Sequence, residues 1–118
     1  MNTKERITKI IKMLNIPAHL KGYHYIRYCI ERVLADPKHT VYMTALYYTT
    51  AEAFDTKAQA VERNIRTAIA ISWGRADTQI LQDIFGYYKA DDIPTNSEFI
   101  ATIIDYMLIQ QEDNNQTD

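Results

Sequence analysis

The run TTAEAFDTKAQAVERNIRTAIAISW, from Thr49 to Trp73, constrains this chain more than any other segment, because it reads as two helices joined by a tight turn. Ala51 on the first helix is small enough to let the second cross closely, and Val61 is spaced to pack into the angle between them. Asp55 stands where such turns need a left-handed residue. Glycine is commonest there, but aspartate tolerates that conformation better than most side chains, and Thr56 behind it is a candidate cap for the next helix. The expected motif is a helix-turn-helix.

At about 100° per residue, positions 57–73 put Val61, Ile65, Ala68, Ile69, Ser72 and Trp73 on one stripe, the expected buried face. The opposite face gathers Gln59, Arg63, Arg66 and Thr67 with the small Ala60 and Ala70, while Lys57 and Asn64 lie towards one flank. Guanidiniums that can fork onto guanine O6 and N7, amides suited to adenine, and small residues that permit close approach are what a major-groove reader needs. The plainer reading is the solvated charged face of any surface helix, and spacing alone does not choose between them.

A chain of 118 residues, 47% apolar with three glycines and three prolines, is long enough for one single-core domain and too short for two. The expected class is all-α, with a single domain over residues 1–111 and a polar tail over 112–118. There is no secretory segment or apolar stretch of about 18 residues, and the one cysteine, Cys29, cannot form an internal disulfide, so a cytoplasmic location is expected. A formal charge of −2 argues against an all-round basic surface. Nucleic-acid binding would have to come from a local patch, and Lys57, Arg63, Arg66 and Arg75 supply one.

Elsewhere, Ile7, Ile10, Ile11 and Leu14 recur at helical spacing over Lys4 to Leu14, and Asn15-Ile16-Pro17 ends that helix. Gly22 marks the turn into a second helix, about Tyr23 to Leu34, with Tyr23, Ile26, Ile30, Val33 and Leu34 inward and Asp36-Pro37 closing it. A third segment, about Thr40 to Tyr47, leads into Thr49 to Phe54, either continuously or through a kink. A short helix near Thr78 to Phe85 ends at Gly86, and a loop follows through Pro94. The last helix, Ser97 to Gln110, has Thr95 and Ser97 as candidate caps, Glu98 in its first turn, and a broad stripe of Phe99, Ile100, Ile103, Ile104, Met107 and Leu108.

Tyr23, Tyr25, Tyr28, Tyr42, Tyr47, Tyr48 and Tyr106 fall in helical segments, where core or boundary packing is the expected role. Tyr87 and Tyr88 lie in a loop beside Lys89, where a phosphate or partner contact competes with packing. His19, His24 and His39 lack zinc-ligand spacing, and no glycine-rich phosphate loop or nucleophile elbow is present. No enzyme, metal or cofactor is implied.

Three blocks, PAHLKGYHYIRYCIERVL from Pro17, AEAFDTKAQAVERNIRTAI from Ala51 and IPTNSEFIATIIDYM from Ile93, occur in the order of a known family. With their connections they cover residues 7–111, and together they resemble the C-terminal effector domain of the stage-zero sporulation response regulator. The resemblance implies a compact all-helical domain of about six helices that binds a short promoter box on double-stranded DNA as head-to-tail copies and regulates transcription. Carried over residue by residue, Arg63, Arg66 and Glu62 match the VER-x-IR core of the recognition helix, with Gln59 and Lys57 in its leading turn and Asn64 and Thr67 beside them. Arginine can contact guanine or phosphate, and Glu62 can orient an arginine or accept from a cytosine amine. His19 and Lys21 fall in the PAHLKGY match, where the resemblance implies a structural connection and a backbone contact to DNA.

Two departures matter. Ala60 stands where the family carries an arginine, and Asn64 where it carries an alanine, so the operator or the affinity is expected to differ. Nothing in the chain resembles the phosphorylated receiver that precedes this domain in the family, and the opening Met-Asn-Thr-Lys-Glu-Arg reads as a natural start. Two explanations fit, an excised effector domain or a stand-alone regulator controlled by abundance, by forming a homodimer or by a partner protein, without a membrane, and the opening residues lean towards the second. Such a regulator could equally serve plasmid replication, maintenance or conjugation in a Gram-positive bacterium. The competing reading is a protein-interaction module that kept the fold and weakened or lost DNA binding.

Overall fold

A computed structural model describes residues 1–116, with side chains through Asp113. Among the described residues there are six helices and no strand: α1 (Thr3–Met13), α2 (Lys21–Ala35), α3 (Met43–Ala53), α4 (Ala58–Arg75), α5 (Thr78–Phe85) and α6 (Asn96–Gln116). Helix α1 starts where Asn2 Oδ1 accepts the Glu5 N–H at 2.9 Å, and it ends as Asn15 turns to φ 59°. Its Ile7, Ile10 and Ile11 are buried together with Leu14.

Helix α2 starts two residues earlier than the sequence suggests, which changes the meaning of Gly22. This residue lies inside the first turn of the helix, not in a connection. A β-carbon there would stand 2.3 Å from the Asn64 carbonyl oxygen and 2.7 Å from Ala68 Cβ, so Gly22 is the notch through which α4 crosses α2. Tyr25 and Cys29 join the expected inward residues of α2, while Leu34 is half-buried at its edge. Burial pushes the Cys29 thiol up to about 11 against a weaker opposite effect of the Thr50 hydroxyl, which leaves it protonated and inert at neutral pH.

Helix α3 is continuous, joining the two segments that the sequence left open, and it begins at Met43 instead of near Thr40. No glycine or proline interrupts it. Leu46, Thr50 and Ala51 face inward, so Tyr48 points the other way, and Tyr42 precedes the first turn. Both tyrosines are largely exposed, contrary to the packing role expected of them.

The turn between α3 and α4 is closed by two backbone bonds, Thr56 N–H to Ala51 C=O at 2.9 Å and Asp55 N–H to Glu52 C=O at 3.4 Å. This is a Schellman turn with Asp55 in the left-handed position at φ 52°. Ala51 and Val61 are both buried at the crossing. Thr56 does not cap α4. Its N–H belongs to the turn, and the cap position falls one residue later at Lys57, which makes no side-chain capping bond.

Helix α5 is capped by Asp77, whose Oδ1 accepts the Gln79 N–H, and it ends at Gly86 with φ 81°. The following loop is pinned by Trp73, whose Nε1 donates to the Lys89 carbonyl at 2.7 Å and whose ring meets Phe85, Tyr87 and Tyr88. Half-buried packing is thus the role the fold gives Tyr87 and Tyr88. Helix α6 opens with a capping box: Thr95 Oγ1 accepts from the Glu98 N–H and Glu98 Oε1 accepts from the Thr95 N–H, both at 3.1 Å. The backbone bond, and then the hydroxyl, hold the Glu98 carboxyl below its usual range. Ser97, the other candidate, lies within the helix. Phe99, Ile100, Ile103, Ile104 and Met107 are buried as the stripe requires. The helix runs past Gln110 to Gln116, through much of the segment expected as a tail, and residues 117–118 lie outside the described residues.

Candidate nucleic-acid interface

The inner face of α4 consists of Val61, Ile65, Ala68, Ile69, Ser72 and Trp73, all buried, the six residues that helical periodicity selects. Ser72 is accommodated there because its Oγ donates to the Leu14 carbonyl at 2.7 Å. Burying this stripe against α2, α3 and α6 fixes the rotation of the helix and leaves its opposite face in solvent. Lys57, Gln59, Arg63, Arg66, Thr67 and Ala70 are all exposed. The span from Gln59 to Ala70 is about 16 Å at 1.5 Å per residue, a length that a major groove accommodates along its course.

The structure brings together five of the seven residues expected to contact DNA: Lys57, Gln59, Arg63, Arg66 and Thr67. Glu62 is half-buried at the edge of this face, where its carboxylate pairs with the Arg66 guanidinium one turn on. That pair is surface-exposed, with 63% of the Arg66 side chain accessible, so opening it towards a ligand costs at most about 1 kcal/mol. Among the described residues Arg63 forms no ion pair. Asn64 stands apart. Its Nδ2 donates to the Ala60 carbonyl at 2.7 Å, turning the amide back along its own helix, while its backbone carbonyl lies at the α2 crossing. Ala60 is half-buried on the same side.

The flank is formed by the start of α2. Since Gly22 abuts Asn64 and Ala68, its neighbour Lys21 and the preceding His19, both exposed, belong to the surface beside α4. The connection is held by the Leu20 N–H to the Pro17 carbonyl and by the His24 ring N–H to the Ala18 carbonyl. Charge is segregated along the chain: twelve of thirteen lysines and arginines precede Ala76, whereas nine of fifteen aspartates and glutamates follow it. The net acidity therefore belongs to α5, α6 and their loop. The part that contains α4 carries an excess of positive charge.

Sequence reasoning overlooked one residue at this site. Asn96, the first residue of α6, is 8% exposed and donates through Nδ2 to the Tyr47 hydroxyl at 2.9 Å and to the Glu62 carbonyl at 3.2 Å. The PTNSEFIA block held the asparagine in view, but no local rule links it to a helix 34 residues away. Among the described residues no helix is long and apolar enough to cross a membrane.

A compact helical domain that presents the basic, amide-bearing second helix of a helix-turn-helix defines a DNA-binding regulator as the class. The model of the family described as sporulation initiation factor Spo0A, C terminal, matches residues 7–107. The chain belongs to this family, a DNA-binding and not an enzymatic one, whose domains are the effector parts of a response regulator and govern transcription in sporulation.

Proposed function

We propose that this chain recognises a specific duplex site by laying α4 in the major groove, with Arg63 and Arg66 at base edges. Gln59 and Thr67 complete the reading face, Lys57 contacts phosphate at its leading end, and Glu62 orients Arg66 or accepts from a cytosine amine. The observation that carries this reading is the rotation of α4. Its whole apolar stripe is buried, so both arginines stand outward on consecutive turns, Arg63 without an ion pair among the described residues and Arg66 held only by the exposed Glu62 pair. Duplex DNA as ligand places the work of the protein in the cytoplasm.

The test is selection of bound fragments from random DNA, followed by a salt titration on the selected site. Log affinity should fall steeply with log salt, by about 0.9 for each phosphate neutralised. Absence of any enriched sequence, with flat salt dependence, would instead favour a protein-interaction module.

Copies are proposed to bind adjacent sites cooperatively, supported by Ile109, which is 50% exposed on α6 beside the half-buried Tyr106. Sedimentation with one-site and two-site duplexes should show pairs filling the longer DNA together, and Ile109→Lys should weaken this. Independent filling of both sites, unchanged in the variant, would leave α6 to the fold alone.

A further inference from the structure

Asn96 occupies a position that local structure does not explain. The start of α6 is already capped by Thr95 and Glu98, so the helix needs no second polar group there. The side chain is nonetheless buried, and its amide nitrogen joins three elements: α6 through its own backbone, α3 through the Tyr47 hydroxyl and α4 through the Glu62 carbonyl. Both partners accept from this nitrogen, a task for a group with two N–H donors that neither a carboxylate nor an apolar side chain performs. The bond to α4 falls on the residue whose carboxylate holds Arg66. It therefore fixes the height and rotation of the helix at the turn from which Arg66 projects.

We propose that Asn96 is a positioning residue for DNA recognition, locking α4 against α3 and α6 so that Arg66 meets its base in register. This inference rests on the reading of Arg66 as a base contact. Phosphate contacts tolerate small shifts of a flexible side chain, whereas bidentate base contacts do not. Loss of the amide lowers discrimination between operator and unrelated DNA more than it lowers general affinity.

The experiment compares Asn96→Ala and Asn96→Asp with the parent chain, each alone and combined with Arg66→Ala, at a temperature well below unfolding. Alanine removes the amide without adding charge. Aspartate keeps the volume, suits a helix N-terminus, and can accept from Tyr47 but cannot donate to the Glu62 carbonyl, so it serves if the alanine variant folds poorly. The readout is the ratio of operator affinity to affinity for an unrelated duplex, which also removes the effect of the added charge. A fall of about 5- to 10-fold is expected, the equivalent of one hydrogen bond, and it should vanish when Arg66 is already alanine. An unchanged ratio, or an equal fall in the Arg66→Ala background, assigns Asn96 to the fold alone and overturns the proposal. If Arg66→Ala by itself leaves the ratio unchanged, the base-reading role of Arg66 fails, and the proposal falls with it.

Discussion

Replacing Gly22 by alanine is expected to destabilise the domain by about 2 kcal/mol or more, although the same change in an ordinary helix would stabilise it by up to about 1 kcal/mol. The added methyl would lie 2.3 Å from the Asn64 carbonyl oxygen and 2.7 Å from Ala68 Cβ. The nearer atom is backbone and cannot rotate away, so α2 and α4 must separate along their crossing, and Tyr23, Ile26, Ile65 and Ala68 lose contact with it. Gly74 provides the control. It too is helical, in α4, but is exposed, with nothing within 4 Å of its added β-carbon, so Gly74→Ala should hold or raise stability. Urea unfolding of both variants measures the contrast. Equal stability of the Gly22→Ala variant and the parent would mean that α2 and α4 do not approach as closely as this geometry requires.

The reason Gly22 was misread as a turn residue shows where sequence reasoning stops. A glycine beside Lys21 and Tyr23 is consistent with a connection or with a helix notch, and only the identity of the crossing helix, more than 40 residues away, decides between them. The buried stripe of α4 was fully legible because helical periodicity is a local property, and Asp55 was legible because few residues accept positive φ. Thr56 failed as a cap through a one-residue shift, which pattern alone does not resolve: Thr56 closes the Schellman turn and Lys57 takes the cap position. The outward direction of Arg63 and Arg66 followed from the inward direction of the stripe. The fate of the Asn64 amide did not, because folding back onto Ala60 is a rotamer choice made beside another helix. Asn96 lay beyond reach for the same reason as Gly22: its meaning is held by Tyr47 and Glu62, distant in the chain.

The largest expected effect on function is that of removing Arg63 and Arg66 together. Each bidentate base contact is worth about 1–3 kcal/mol, so the two single alanine variants should each lose about 5- to 150-fold in operator affinity. Both side chains are exposed, and their loss leaves the core of Val61, Ile65 and Ile69 untouched, so helicity and unfolding midpoint should be unchanged. The single variants are not equivalent. Arg66→Ala also releases the Glu62 carboxylate, which then faces the DNA without its partner and adds repulsion, so Arg66→Ala should cost more than Arg63→Ala. A Glu62→Gln change in the Arg66→Ala background should recover that excess and no more. Salt dependence separates base from phosphate contact. If the arginines sit at base edges, the double variant loses affinity for the operator but keeps the salt slope of the parent, and the identity of the preferred bases at those positions relaxes. If they sit on phosphates, the slope falls by about 0.9 per arginine and every duplex loses alike. Fluorescence anisotropy at several salt concentrations, on the operator and on an unrelated duplex, distinguishes these outcomes. Unchanged operator affinity in the double variant would remove α4 from the reading of DNA altogether.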